Sequence, residues 1–87
     1  MKLRFLDQDI PVVKVPHTHP LLSDCEAMIH DGKVYIDKKL KGRAYWNALI
    51  HECLHLLFPY KSESEMHCEA IVLTDFLLDS DLLKDIE

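Results

Sequence analysis

The sequence predicts an α+β fold in which a small antiparallel or mixed β-sheet is followed by two helices. Three observations support this prediction. Short β-forming runs occupy the first 37 residues, and the dipeptide Asp31-Gly32 separates two of them. From Gly42 onward the apolar residues recur at helical spacing until Pro59 interrupts them. A second helical pattern begins after Ser62.

The first two β-forming runs lie before residue 16. Residues 2–6 alternate between polar and apolar side chains, which predicts a strand, and residues 7–9 can form a turn. Residues 10–15 are rich in β-branched side chains, but Pro11 and Pro16 flank or interrupt them. Because proline cannot donate to a β-ladder, this run is predicted to be an edge strand or an irregular strand.

The strongest local signal is a hairpin formed by residues 27–30 and 33–37 around Asp31-Gly32. A type I′ turn requires positive φ at both central residues, and Asp-Gly satisfies this requirement well. We expect residues 33–37 to be an edge strand that leads to the next helix and borders a cleft. An extended peptide could then pair with its backbone.

Two helices are predicted in the second half of the chain. The first has one apolar side at helical spacing and ends before Pro59, because the residue preceding a proline disfavours helical geometry. Ser62 and Glu65 have the spacing of a capping box, so the second helix should begin there and run to about Leu78. The apolar side of the first helix comprises Tyr45, Leu49, Cys53 and Leu57.

Length and composition predict one domain spanning residues 1–87. Residues 1–62 have a net charge of +2 and residues 63–87 a net charge of −7, which argues against nucleic acid as a partner. Three cysteines without C-x-x-C spacing predict reduced thiols rather than a disulfide framework. The N-terminal residues lack a signal-peptide pattern and no stretch resembles a membrane span, so we expect a cytoplasmic protein without membrane association.

The candidate functional residues form the pattern His51-Glu52-Cys53-Leu54-His55. On a helix, two histidines four residues apart lie one turn apart on the same face and can bind one zinc ion. Zinc lowers the pKa of a bound water to about 7, and the adjacent glutamate can take its proton as the water attacks a carbonyl. The pattern therefore predicts two metal ligands, His51 and His55, and one catalytic base, Glu52.

A chance match in a surface helix is the alternative to a metal site. The motif, however, lies between the apolar runs Ala48-Leu49-Ile50 and Leu56-Leu57-Phe58, where unpartnered polar side chains would be costly. The sequence thus predicts a zinc-dependent hydrolase, of which a metallopeptidase acting on a peptide or protein is the expected type. A non-catalytic, zinc-stabilised protein-binding or regulatory module is the alternative, and the sequence leaves the oligomeric state open.

Residues 32–78 resemble short zincin-like proteins of the ImmA/IrrE type and small H-E-x-x-H proteins encoded by bacteriophages. The likeness is carried by Gly32-Lys33-Val34-Tyr35-Ile36-Asp37, a short basic linker, and residues 47–57 around the motif. It implies an active-site helix followed by a second helix that brings the third ligand, usually glutamate within E-x-x-A. His67 occupies that position here, in His67-Cys68-Glu69-Ala70.

The third zinc ligand is therefore expected to be His67, with Glu69 as the alternative. His67 shares a helical stripe with apolar positions that should face the first helix, but Glu69 has a stripe of its own. Glu63 is explained by the helix dipole and Glu65 by the capping box. A partly buried helix residue without a metal is the other interpretation of His67.

Two tyrosines are candidates for contacts with the substrate. A phenol can donate a hydrogen bond to a developing oxyanion, and Tyr35 and Tyr60 are the candidates for this role.

Overall fold

The computed structural model describes residues 2–23 and 25–83. It contains a four-stranded mixed sheet followed by two helices, which confirms the predicted α+β class. The chain divides into two compact units, Met1–Lys39 and Leu40–Glu87, called here the sheet unit and the helical unit. The strands are β1 (Lys2–Phe5), β2 (Gln8–Val15), β3 (Ala27–His30) and β4 (Lys33–Asp37), and the helices are α1 (Gly42–Leu57) and α2 (Glu63–Asp79).

The sheet has the strand order β1-β2-β4-β3. The hairpin of β3 and β4 is confirmed, since His30 is in register with Lys33 and both Asp31 and Gly32 have positive φ. The first turn lies earlier than predicted: Leu6 and Asp7, also with positive φ, connect β1 to β2. Neither residue is glycine or asparagine, so the sequence lacks the usual signal for a two-residue turn.

The prediction that β4 is an edge strand is wrong. Residues 10–15 were predicted to be an edge strand or an irregular strand, and they belong to β2, an inner strand whose pairing changes sides. β2 lies between β1 and β4, pairing with β1 through Gln8–Pro11 and with β4 through Val12–Val15. In these registers each half of β2 has a neighbour on one side, which is how an inner strand accommodates Pro11. β4 is paired with β2 on one side and β3 on the other, so its backbone is not open to an extended peptide.

In the helical unit, α1 and α2 form an antiparallel pair. Arg43 at the start of α1 donates to Asp75 and, at 3.0 Å, to Asp79 near the end of α2. A hydrophobic core comprising Ile50, Leu54, Met66 and Ala70, with Phe58, Leu77 and Leu83 against it, joins the two helices. Burying each large apolar side chain there contributes about 1.5–3 kcal/mol, so this core holds the helices in a fixed register.

The connection between the helices is short and defined by local contacts. The Phe58 amide donates to the Leu54 carbonyl, and the Lys61 amide donates to the Phe58 carbonyl. Ser62 is the N-cap of α2, as predicted, and its Oγ accepts a hydrogen bond from the Glu65 amide at 3.2 Å. The last turn of α1 and the first turn of α2 are thereby brought side by side.

Candidate metal centre

His51 and His55 lie on one face of α1, as their spacing predicts. Their Nε2 atoms are 3.1 Å apart and their ring centroids 4.9 Å apart. The two side chains are 18% and 31% exposed, so both rings are partly buried at the edge of the helical core.

Glu63 completes this cluster from the first turn of α2. Its Oε1 lies 2.6 Å from His51 Nε2 and 3.0 Å from His55 Nε2. The hydrogen bond to His51, followed by that to His55, lowers the pKa of Glu63, so the carboxylate form is favoured. Two imidazole nitrogens and one carboxylate oxygen therefore converge on one point, which we call the His-His-Glu cluster.

The arrangement fits a zinc ion. Tetrahedral zinc with ligand distances of about 2.0–2.1 Å keeps its ligand atoms about 3.3 Å from one another. The three distances within the His-His-Glu cluster are 2.6, 3.0 and 3.1 Å, slightly shorter than this value. Outward movements of a few tenths of an ångström would admit the ion. Three protein ligands would leave a fourth position open, which is typical of catalytic rather than structural zinc sites.

Glu52 lies beside the two histidines. One of its carboxylate oxygens and a ring nitrogen of each histidine are all within 4.8 Å of one another. Burial raises the pKa of Glu52, and the nearby histidines only partly offset this effect. A carboxylate with a raised pKa accepts a proton more readily near neutral pH, as a general base must.

His67 and Glu69 lie on α2 beyond Glu63. The His67 ring meets that of His51 edge-on, with centroids 6.2 Å apart. The Glu69 carboxylate is paired with Lys61, whose Nζ lies 2.8 Å from Oε2 and 3.0 Å from Oε1. The structure thus brings His67 next to the cluster and engages Glu69 elsewhere, and a ligand role for either remains a prediction.

The two tyrosines lie in different parts of the chain. Tyr60 is exposed in the turn between the helices, where its ring meets Phe58 edge-on. Tyr35 lies on β4 in the sheet unit and stacks on His19 with a centroid distance of 5.8 Å. Their proposed part in oxyanion stabilisation stays a prediction.

Glu63 is the candidate ligand that the sequence interpretation set aside in favour of His67 and Glu69. Its place in the first turn of a helix is sufficiently explained by the helix dipole, so no local pattern marks it. The signal that could have identified Glu63 is the short connection between His55 and the start of α2. With only a few residues between His55 and the start of α2, the first turn of the second helix must lie beside the last turn of the first.

Among the described residues, neither helix is long and apolar enough to span a bilayer. Comparison of the chain with protein families, with curated proteins and with solved structures gives no significant match. A functional assignment therefore has to rest on the geometry of the His-His-Glu cluster and its neighbour Glu52.

Proposed function

We propose that the protein is a zinc-dependent hydrolase, with a peptide bond in a peptide or protein as the bond it cleaves. The observation that carries this proposal is the convergence of His51 Nε2, His55 Nε2 and Glu63 Oε1 within 3.1 Å of one another. Glu52, the residue a hydrolase needs beside such a site, is adjacent to it.

In this proposal His51, His55 and Glu63 hold the ion, and His67 remains the sequence-based alternative to Glu63. When bound, zinc supplies Lewis acidity that polarises a carbonyl and lowers the pKa of a water to about 7. Glu52 orients the attacking water, accepts its proton and passes that proton to the leaving amine. Burial raises the pKa of Glu52, which favours the first of these transfers, the uptake of the proton.

A second candidate is a zinc-stabilised binding module without catalysis. It is favoured by the fact that the cluster joins two helices, since His51 and His55 come from α1 and Glu63 from α2. A metal there would stabilise the helical pair whether or not any substrate is cleaved.

Replacement of Glu52 by Gln separates the two candidates. Zinc-loaded wild-type protein should cleave unfolded protein substrates, detected as new peptides by mass spectrometry. The Glu52→Gln variant should bind zinc with similar affinity yet lose cleavage by at least about 100-fold, since general-base catalysis contributes about 10²–10⁴-fold. Zinc binding by both proteins without cleavage by either would favour the module, and absence of zinc uptake would refute both candidates.

A further inference from the structure

An apolar groove of about 500 Å³ lies along α2, on one side of its contact with α1. Three large apolar side chains of α2 line it and are open to solvent: Val72 is 68% exposed, Phe76 59% and Leu73 38%. Adjacent exposed apolar side chains of this kind mark interaction surfaces, whereas single ones are normal. The lining is completed by Leu54 of α1 and by Cys68 and Glu69 of α2.

The groove and the His-His-Glu cluster lie on opposite sides of the helical pair. α2 contacts α1 through Met66 and Ala70. A helix turns by about 100° per residue, so the residue after a core position and the residue before one point to opposite sides of the contact. His67 follows Met66 and lies beside His51, whereas Glu69 precedes Ala70 and lines the groove. The groove is therefore a surface separate from the candidate metal centre.

The backbone around the groove determines what form an occupant can take. α1 and α2 are continuous helices, so their N–H and C=O groups bond within each helix. An extended segment in the groove would find no strand edge to pair with, and its buried backbone groups would lose water without replacement. A helix satisfies its own backbone and can lay an apolar face in such a groove. The fitting occupant is an amphipathic helix.

Carboxylates border the groove at both ends. Spacings of three or four residues place five residues of α2 on one helical stripe: Glu65, Glu69, Val72, Phe76 and Asp79. The stripe is apolar at its centre and acidic at its ends. A partner that covers the centre therefore brings its own flanking side chains close to these carboxylates.

The cations near this border only partly neutralise it. Lys61 Nζ lies 2.8 Å from Glu69 Oε2, and Glu65 also attracts this ammonium group. Arg43 is likewise shared, by the carboxylates of Asp75 and Asp79. Four carboxylates and two cations leave a net charge of −2 among these described side chains. A second copy of the chain would bring the same negative border, whereas lysine or arginine beside an apolar face would be attracted.

We propose that this groove is a docking site for a basic amphipathic helix of a partner protein. The apolar side of the partner helix covers Val72, Leu73 and Phe76, and its cations lie beside the carboxylates at the two ends. Glu65 and Asp79 are about 21 Å apart along α2, which corresponds to about four turns of the partner helix. The inference goes beyond the proposed hydrolase function and does not depend on zinc.

The test uses two synthetic peptides of about 18 residues, a length that covers the groove. Both have leucines at helical spacing on one side; one has lysines along the borders of that side, and the other has glutamates at the same positions. Binding to the full chain is measured by fluorescence anisotropy of the labelled peptides. The lysine peptide should bind at least about tenfold more tightly than the glutamate peptide, and added salt should reduce this difference.

Phe76→Ala tests whether the groove itself is the binding surface. It should weaken binding of the lysine peptide at least about 30-fold, as expected for an aromatic residue at the centre of an interface. Ile71→Ala is the matched control, because Ile71 is also an exposed apolar residue of α2 but follows Ala70 and so lies on the opposite side. It should change the affinity less than about threefold. Circular dichroism melts should show both variants folded, since both positions are exposed.

Three results would overturn the proposal: equal affinity for the two peptides, equal losses in the two variants, or no binding of the lysine peptide at about 100 μM. Sedimentation velocity of the protein alone tests the competing occupant. A monomer is expected, because the acidic borders of two copies repel each other. A dimer that Phe76→Ala dissociates would overturn the proposal and assign the groove to a second copy of the chain.

Discussion

Replacing Glu63 by Gln tests the geometry of the metal centre most directly. Two opposite unit charges 4 Å apart attract each other by about 1 kcal/mol in water. A zinc ion carries two charges and would lie about 2 Å from the Glu63 carboxylate oxygen, so the same relation gives an attraction of about 4 kcal/mol. The dielectric constant of water is appropriate because the Glu63 side chain is 73% exposed. Losing this attraction should weaken zinc binding about a thousandfold, since every 1.4 kcal/mol corresponds to about a factor of ten in affinity.

The measurement is a competitive zinc titration against a chromophoric chelator, with circular dichroism to confirm that each variant is folded. Glu65→Gln is the matched control, since it removes a carboxylate from the same helical turn without touching the cluster. It should change zinc affinity less than tenfold, as expected for an exposed charge near a helix end.

The competing ligands are tested in the same assay. His67→Ala should weaken binding by no more than the roughly 10–100-fold typical of groups outside the ligand set. Glu69→Ala should have still less effect, because its carboxylate is paired with Lys61. A loss above a hundredfold for His67→Ala, together with less than tenfold for Glu63→Gln, would refute our assignment and favour the ligand inferred from helical stripes.

Three further predictions concern stability. Zinc at about 100 times its Kd should stabilise the fold by about 2.7 kcal/mol, so a chelator should lower the melting temperature by about 10–20 °C; an unchanged melt after confirmed metal removal would contradict this. Met66→Ala should cost about 2–5 kcal/mol in denaturant unfolding because Met66 is fully buried, whereas Val72→Ala at an exposed position should cost under about 1 kcal/mol. The Lys39 amide and then His17 lower the pKa of Asp37 below 3.8, so its stabilising contribution is present above that pH and is lost as the pH falls through the lowered pKa. As the pH is lowered from about 5 to about 2.5, the melting temperature should therefore fall more steeply for wild type than for Asp37→Asn. Parallel curves of melting temperature against pH would refute this role for Asp37.

Features governed by neighbouring residues could be predicted from the sequence. The β3–β4 turn follows from the conformational freedom of Gly32 and the tolerance of Asp31 for positive φ. The end of α1 before Pro59 and the cap of α2 at Ser62 are equally local effects. The predicted spacing of His51 and His55 on one face also needs only helix geometry.

Only the tertiary structure decided the strand order and the third member of the cluster. Strand pairing joins residues distant in the chain, so no local pattern revealed that β4 is an inner strand or that Pro11 lies where the pairing of β2 changes sides. Likewise, the position of Glu63 depends on how α1 and α2 pack through Leu54 and Met66. Periodicity within α2 reports which residues share a stripe, but the contact of Glu63 with His51 is decided by the turn and core that join the two helices.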